Sequence, residues 1–390
     1  MSVIRRRLGA FALAASLLAV AFPGVAASPS SLAPGRPSAD PERSMGRAAD
    51  ALGDLVDRAS EAGAGFRSAM DALSAASAGA AGSEGPTINY GSDGRLTILL
   101  LGSDYRAGYK YLEHTDVIMV VSLDPAGSKL AMASVPRSVV RFPIHLENRG
   151  PDGAKHSGDL RVNLLYDSYR ETEDDGGIEP QALERLRKDV AHALRLEIDY
   201  YAFVRFTGFD ALVDTADGIA VKIPAAIVDP SYQDSPTPGV RFPAASDWLL
   251  HGGSATRCAG TTIDCRRGIA YVRSRKGKVG SAANSDYQRA ARQQGLIFAA
   301  IQKVTGGGAD LELLRLGSIS HVTTDMPRTA ADAMWLRDRL AGARAPLKAR
   351  VVFAPPTWAT ALSVPKDSAR LRLKEVRAWI AQKMPAVAVP

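Results

Sequence analysis

The chain reads as an α/β protein, an α-β-α sandwich built around a central mixed β-sheet. Three observations predict this. The apolar segments Leu96–Leu101, Val117–Leu123 and Lys129–Val135 succeed one another as the strands of a meander do, with an Asp124–Gly127 turn between the second and third. Leu183, Leu186, Val190 and Leu194 recur at helical spacing. The apolar run Tyr200–Phe206 then reads as a buried strand, and a further helix starts over Gly208–Ala216. Strands alternating with helices place helical layers on the faces of a sheet.

Taken in order, residues 1–27 carry Arg5, Arg6 and Arg7, then apolar Leu8–Phe22, then Val25-Ala26-Ala27. That is the order of a secretory signal peptide. The apolar part is short beside the roughly 20 residues that cross a bilayer. A cleaved signal and an uncleaved N-terminal anchor are therefore both open. Either way the protein is expected to be exported to the cell envelope, at the extracytoplasmic membrane face or in the wall. Residues 28–92 read as a spacer: Ser28–Arg43 is rich in Pro, Ser and Ala, with too little apolar surface to fold. Met45, Ala48, Leu52, Leu55 and Val56, then Phe66, Met70 and Leu73, follow at helical spacing. The main domain is set at 93–356. Residues 357–390 read as a C-terminal appendage with a helix over Ala369–Gln382.

Without Arg5–Arg7 the formal net charge falls from +7 to +4. So mild an excess favours anionic partners, and no basic arm interleaved with aromatics points to nucleic acid. His114, His145, His156, His192, His251 and His321 are scattered, without the spacing of a triad or a zinc site. No G-x-S-x-G elbow occurs. Cys258 and Cys265, close together in an exported chain, read as a small disulfide-closed loop.

The chemistry-bearing residues fall into two groups. In a meander, Asp104 leaves the first strand at the end where Asp116 enters the second, and the third strand delivers Arg137 to that same end. Two carboxylates sharing a rim repel unless protonated or bridged by a cation. Oxygen ligands of this kind suit Mg²⁺, with phosphate oxygens completing its shell. Each aspartate alone is equally a turn residue or a strand cap.

The second group lies in AYVRSRKGKVGSAANSDYQRAARQQ, residues 270–294. It reads as a short strand with Arg273 and Arg275 on one face, a loop carrying Lys276 and Lys278, and a helix from Asp286. Arg289, Arg292 and Gln293 share one side of that helix. Guanidinium forks converging on one point suit a pyrophosphate. Alone, the segment is as compatible with a solvated basic face.

LLLGSDYR, HTDVIMVVSLDP, SVPRSVV, RVNLLY, FTGFDALVDTADGIAVKIP, AYVRSR and SDYQRAARQQ resemble, in order and spacing, the successive motifs of the LytR-CpsA-Psr family. Val322–Phe353 is similar to that family's last segment, a helix (Thr329–Leu340) before a strand (Arg350–Phe353). The resemblance implies an exported phosphotransferase that moves a glycopolymer from a polyprenyl-pyrophosphate carrier to a muramic acid hydroxyl of peptidoglycan, working at the membrane surface. It implies Asp104 and Asp116 as ligands of Mg²⁺, with Mn²⁺ as the substitute. Arg137, Arg273, Arg275, Asp286, Arg289 and Gln293 would surround the pyrophosphate; Arg161 and Asn163 fall in the [KR]-x-N motif, and Arg292 lies beside them in role. Ser138 departs from the Asp or Asn usual after the PR pair. A polyprenyl tail requires a long apolar groove, with Leu96–Leu101, Tyr201–Phe209, Leu212–Val213 and Gly295–Val304 as candidate walls. A hydrolase releasing the pyrophosphate to water and a non-catalytic polyprenyl-phosphate-binding regulator are the alternatives.

Overall fold

The computed structural model describes residues 85–390 apart from 106–112, 127–128, 171–176, 234–236, 254–257, 259, 278–284, 343–348 and 388–390. The signal or anchor at 1–27, the spacer up to residue 84 and Lys278 lie outside the described residues. Among the described residues no helix is long and apolar enough to cross a membrane.

Six strands form the central sheet: β1 (Leu96–Ser103), β2 (Thr115–Leu123), β3 (Leu130–Ser134), β4 (Tyr200–Arg205), β9 (Val322–Thr324) and β10 (Ala349–Val352), in the order β10-β3-β2-β1-β4-β9. β1, β2 and β3 form the antiparallel meander, while β4 and β10 run parallel to β1 and β3. The sheet is mixed, as the alternation of strands and helices predicts.

One face is closed by α1 (Leu165–Tyr169), α2 (Pro180–Leu194) and α8 (Leu373–Lys383). Leu99, Leu101, Val120 and Phe203 of the sheet pack there with Leu183, Leu186 and Val190 of α2 and Val376 and Ile380 of α8. The other face meets α5 (Asp286–Thr305) and α7 (Ala330–Gly342). Here Met119, Val121 and Met132 are buried, but Ile98, Leu100, Val117 and Tyr200 are only partly buried, beside equally half-buried Ile297, Phe298, Ile301, Trp335 and Leu336. α6 (Leu311–His321), carrying Leu311, Leu313, Leu314, Leu316 and Ile319, has no buried residue at all. The second face is therefore lined with apolar side chains that remain partly exposed.

A satellite core joins α3 (Phe206–Thr215), the strand pairs β5–β8 (Ile219–Ile223, Ala245–Leu250) and β6–β7 (Ile227–Asp229, Val240–Phe242), and α4 (Gly268–Arg273). The Cys258–Cys265 disulfide is formed there, both sulfurs buried.

Several sequence expectations need correction. The AYVRSR stretch is helical, not a strand: Gly268 to Val272 are five consecutive buried residues, and so short an apolar run carries no readable period. Tyr200–Phe206 is only half-buried, since Tyr201 and Phe203 enter the core while Tyr200, Ala202 and Val204 line the looser face. For the same reason only alternate residues of Leu96–Leu101 and Tyr201–Arg205 can wall a groove, while Phe206, Phe209 and Val213, on α3, pack in or against the satellite core. The C-terminal helix starts at Leu373, because Ser368–Leu371 (β12) pairs with Ala359–Leu362 (β11). Its apolar side enters the main core, so 357–390 is no appendage. At the other end, Ile88 is buried and Thr87 and Ile88 donate to Asp332 of α7 at 2.6 and 3.1 Å, which ties the last spacer residues to the domain.

Candidate active site

The meander brings Asp104, Asp116 and Arg137 to one rim, at the carboxyl ends of the parallel strands β1 and β4. The register supplies a detail that strand order alone does not. Gly102 pairs with Val117 and Ser103 with Thr115, which leaves Asp116 unopposed as a bulge. A bulge redirects the side chain of the extra residue. Gly102 makes the crossing possible, since a Cβ there would lie 2.8 Å from Val117 Cγ2.

Asp116 is the hub. Arg137 Nη1 donates to its Oδ1 and Oδ2 at 2.8 and 2.9 Å, Arg289 Nη1 to Oδ2 at 3.1 Å, and Asn163 Nδ2 to Oδ1 at 3.1 Å. Burial would raise its pKa, but Arg289 and Arg137, helped by the Asn163 bond, more than offset this and hold the carboxyl below its usual range. The two rim aspartates therefore do not face each other without a basic partner, as strand order alone implied.

Asp286 is the second hub. It opens α5 behind Ser285, whose hydroxyl caps the helix by accepting from Gln288 N. Its carboxylate meets Arg137 Nε at 3.4 Å, Arg275 Nη1 at 3.3 Å and Arg289 Nη2 at 3.4 Å. Three guanidiniums thus interlock with two carboxylates from opposite ends of the domain sequence. Ser138 is buried and hydrogen-bonded to the Tyr287 hydroxyl, so this departure from the usual motif supports the helix beside Asp286.

The remaining predicted residues are placed differently. Arg273 lies over the rings of Phe206 and Tyr232, 4.5 and 5.7 Å from their centroids, and shares no strand face with Arg275. Arg292 turns back to α4, donating to the carbonyls of Tyr271, at 3.0 Å, and Ser274. Its burial lowers its pKa to about 10. Gln293 Nε2 donates to the Val272 carbonyl at 3.2 Å. Both hold the C-terminal end of α4. Arg161 Nη2 donates to the Lys366 carbonyl at 2.8 Å, on the β11–β12 turn, away from Asp116.

Three further residues emerge only from the structure. His114 lies 3.2 Å from Asp104 Oδ2 through Nδ1, and that hydrogen bond, opposed by burial, raises its pKa. Asp229, buried at the end of β6, accepts through Oδ2 from Ser274 Oγ, Arg275 N and Lys276 N, each at 2.9 Å. It fixes the turn that aims Arg275. Glu113, also buried, accepts from Arg205 Nε at 2.9 Å and Nη2 at 2.8 Å. Of these only His114 carried a sequence signal, as the neighbour of Asp116 in His-Thr-Asp.

The donor set fits a divalent cation. Ligand atoms of Asp104, His114 and Asp116 lie within 4.8 Å of one another. Asn163, whose amide nitrogen holds Asp116, keeps its own Oδ1 buried and without a partner, an acceptor left for water or a ligand group. Asp116 already accepts two hydrogen bonds on each oxygen, from Arg137 and Asn163 on Oδ1 and from Arg137 and Arg289 on Oδ2, so a cation bound there would displace one of these donors.

The profile of the LytR_cpsA_psr family matches residues 66–342. The chain is 25% identical over 264 residues to the cell wall biosynthesis protein LcpA of Corynebacterium glutamicum, covering 60% of this chain and 44% of that one. It is 32% identical over 141 residues to the regulatory protein MsrR of Staphylococcus aureus, covering 36% and 35%. The chain thus spans less than half the length of these relatives. Its fold is that of TagV from B. subtilis (TM-score 0.52, 19% identity, 76% of this chain and all of that one). A Streptococcus agalactiae protein, gbs0355, gives 0.51, with 17% identity over 75% and 89%. With the family profile spanning most of the described domain and the rim motifs gathered at one edge of that fold, this chain belongs to the LytR_cpsA_psr family.

Proposed function

We propose that this protein is a cell-envelope phosphotransferase that moves a glycopolymer from a polyprenyl-pyrophosphate carrier to peptidoglycan, with Mg²⁺ or Mn²⁺ bound at Asp104 and Asp116. One observation carries the reading: the interlocked Arg137, Arg275 and Arg289 stand at the rim of a sheet face whose apolar side chains are only partly buried. A guanidinium cluster suits the pyrophosphate, and the apolar strip of Ile98, Leu100, Val117 and Tyr200 suits its hydrocarbon tail. Family membership and the likeness to a cell wall biosynthesis protein support the same reading.

In the reaction a muramic acid hydroxyl oxygen bonds to the sugar-side phosphorus and the bond from that phosphorus to the bridging oxygen breaks. The leaving polyprenyl phosphate takes up the proton. Arg137, Arg275 and Arg289 neutralise and orient the phosphate oxygens; such transfer needs positioning and charge more than covalent help. Three guanidiniums balance Asp104, Asp116 and Asp286, so the rim itself carries little net charge toward an anion. A divalent cation held there would supply that positive charge and polarise the phosphoryl oxygens. Asp104, whose carboxylate carries no guanidinium among its described partners, and Asp116 would hold it.

The test is product analysis with labelled lipid donor, with and without a peptidoglycan oligomer. A phosphodiester product formed only with the acceptor supports transfer. Release of the glycopolymer phosphate to water at the same rate without acceptor makes the protein a hydrolase, and donor binding without any bond cleavage makes it a binder.

A further inference from the structure

We infer that a cationic notch at the end of α2, formed by His145, Arg149, His192 and Arg377, is a second anion site that takes a phosphate group. It is separate from the rim and independent of the transfer reaction: α2 ends ahead of the first residue of β4, whereas the rim stands at the carboxyl end of that strand.

The notch is built from below. Asp189 is fully buried on α2 and accepts from His145 N at 2.8 Å, from Asn148 Nδ2 at 2.7 Å and from the Tyr169 hydroxyl. Asn148 Nδ2 also donates to the Arg185 carbonyl at 2.7 Å. The single helical turn Leu146–Asn148, which His145 caps by accepting from Glu147 N, is thereby pinned to α2 at both ends. His145 and Arg149 flank that turn, and His192 follows Asp189 by three residues, on the same side of the helix. The two imidazoles meet edge to face, with ring centroids 5.8 Å apart. Arg377 arrives from α8, donating through Nε to the Ala193 carbonyl at 2.9 Å.

What these cations lack is an anionic partner. Arg377 meets only backbone carbonyls at the end of α2, those of Ala193 and His192. Burial, and then the nearby Arg195, lower its pKa. Arg149 Nε is buried without a hydrogen-bond partner. Glu147, the acidic residue of the turn, pairs with Lys188 instead. Asp189 lies beneath the notch with both oxygens already accepting, and burial raises its pKa. His192 registers the imbalance: burial first, then His145, Arg377 and Arg149, lower its pKa, with Asp189 opposing. Like charges gathered round a buried donor in want of an acceptor favour an anion that accepts from several directions. A tetrahedral phosphate does so, and a guanidinium fork is shaped to bind it.

The probe is inorganic phosphate, and the readout is local to the notch. On the full chain the His192 imidazole, identified as the resonance lost in His192→Gln, is titrated by nuclear magnetic resonance with and without phosphate. Phosphate should raise the His192 pKa, because a bound anion favours the charged ring. Arg149→Gln should weaken the phosphate affinity read from this signal by about tenfold, while Arg275→Ala at the rim should leave it unchanged. A His192 titration that phosphate does not move overturns the site, whether or not any variant folds. An undiminished response in Arg149→Gln, or an equal loss in Arg275→Ala, overturns it too. Vesicles then separate the two sources of such a phosphate. Binding to phosphatidylglycerol but not phosphatidylcholine vesicles, lost in Arg149→Gln, assigns the notch to a lipid headgroup. A His192 shift with phosphate and no vesicle binding assigns it to a soluble phosphate.

Discussion

Arg289 Nη1 donates to Asp116 Oδ2 at 3.1 Å, across 173 residues of chain. The pair fastens the N-terminal turn of α5 to the bulge in β2, and both side chains are well buried. Arg289 Nε stays buried without a partner, so the guanidinium is held by its two outer nitrogens alone. Site and scaffold meet in this one contact.

Replacing Asp116 therefore affects more than turnover. Asp116→Ala leaves Arg137 and Arg289 without their shared acceptor, and breaking a buried pair from one side costs about 3 kcal/mol or more. Thermal denaturation should show a clearly lowered Tm together with lost transfer. An unchanged Tm would mean that the pairs are solvated in solution.

Arg275 tests the guanidinium fork. Its contact with Asp286 is single and half-exposed, so it is free to turn to a ligand. Arg275→Lys should weaken pyrophosphate binding nearly as much as Arg275→Ala, by about 1.5–3 kcal/mol, since an ammonium cannot reproduce the fork. Titration of both variants with a polyprenyl pyrophosphate decides it, and full rescue by lysine sinks the fork.

Asp229 should act through Arg275. Asp229→Ala strips the acceptor from Ser274 Oγ, Arg275 N and Lys276 N. In a double-mutant cycle on ligand affinity, Asp229→Ala and Arg275→Ala should be strongly non-additive. Additive losses would show that the turn holds without the carboxylate.

At the opposite end of β1, Asp199 accepts from Thr97 N at 2.6 Å, and burial, with Asp93 and Glu197 nearby and Arg187 opposing, raises its pKa to about 6. The folded state binds this proton more tightly than the unfolded chain does. Its contribution to stability is complete below the unfolded value of 3.8 and is lost as pH rises through 6. Asp199→Asn should flatten the dependence of Tm on pH across that window, and an identical slope in the variant would refute the assignment.

The disulfide closes a loop with a sequence separation of only 7, in the satellite core. Replacing both cysteines by serine should lower stability by about 2 kcal/mol and spare transfer. Loss of transfer in a variant that still melts cooperatively would place the loop in the site.

Much of the rim was legible because strand order alone delivers Asp104, Asp116 and Arg137 to one end, and a helix opening at Asp286 carries Arg289 on one face. The bulge at Asp116 was not legible, because register arises between strands. Arg289, Arg292 and Gln293 span an arc of about 100° on a helix of 3.6 residues per turn. Arg289 lies between the other two in that arc but about one turn nearer the N-terminus, so it reaches the rim while Arg292 and Gln293 clamp α4. Arg161 was misplaced because its partner, the Lys366 carbonyl, lies 205 residues away on a turn with no pattern of its own. The short apolar run of α4 could not be told from a strand, and His114 was passed over because an imidazole beside an acidic motif has no period to announce it.

α6 carries five large aliphatic side chains and fully buries none of them. A helix in that condition draws little cohesion from its own burial and leaves room on its exposed face for an apolar ligand. A hydrocarbon chain lying there would complete the packing, and a ligand bound only by the folded state at one hundred times its Kd adds about 2.7 kcal/mol. On the proposed function, a carrier lipid would be cargo and, for as long as it stayed, part of the hydrophobic core.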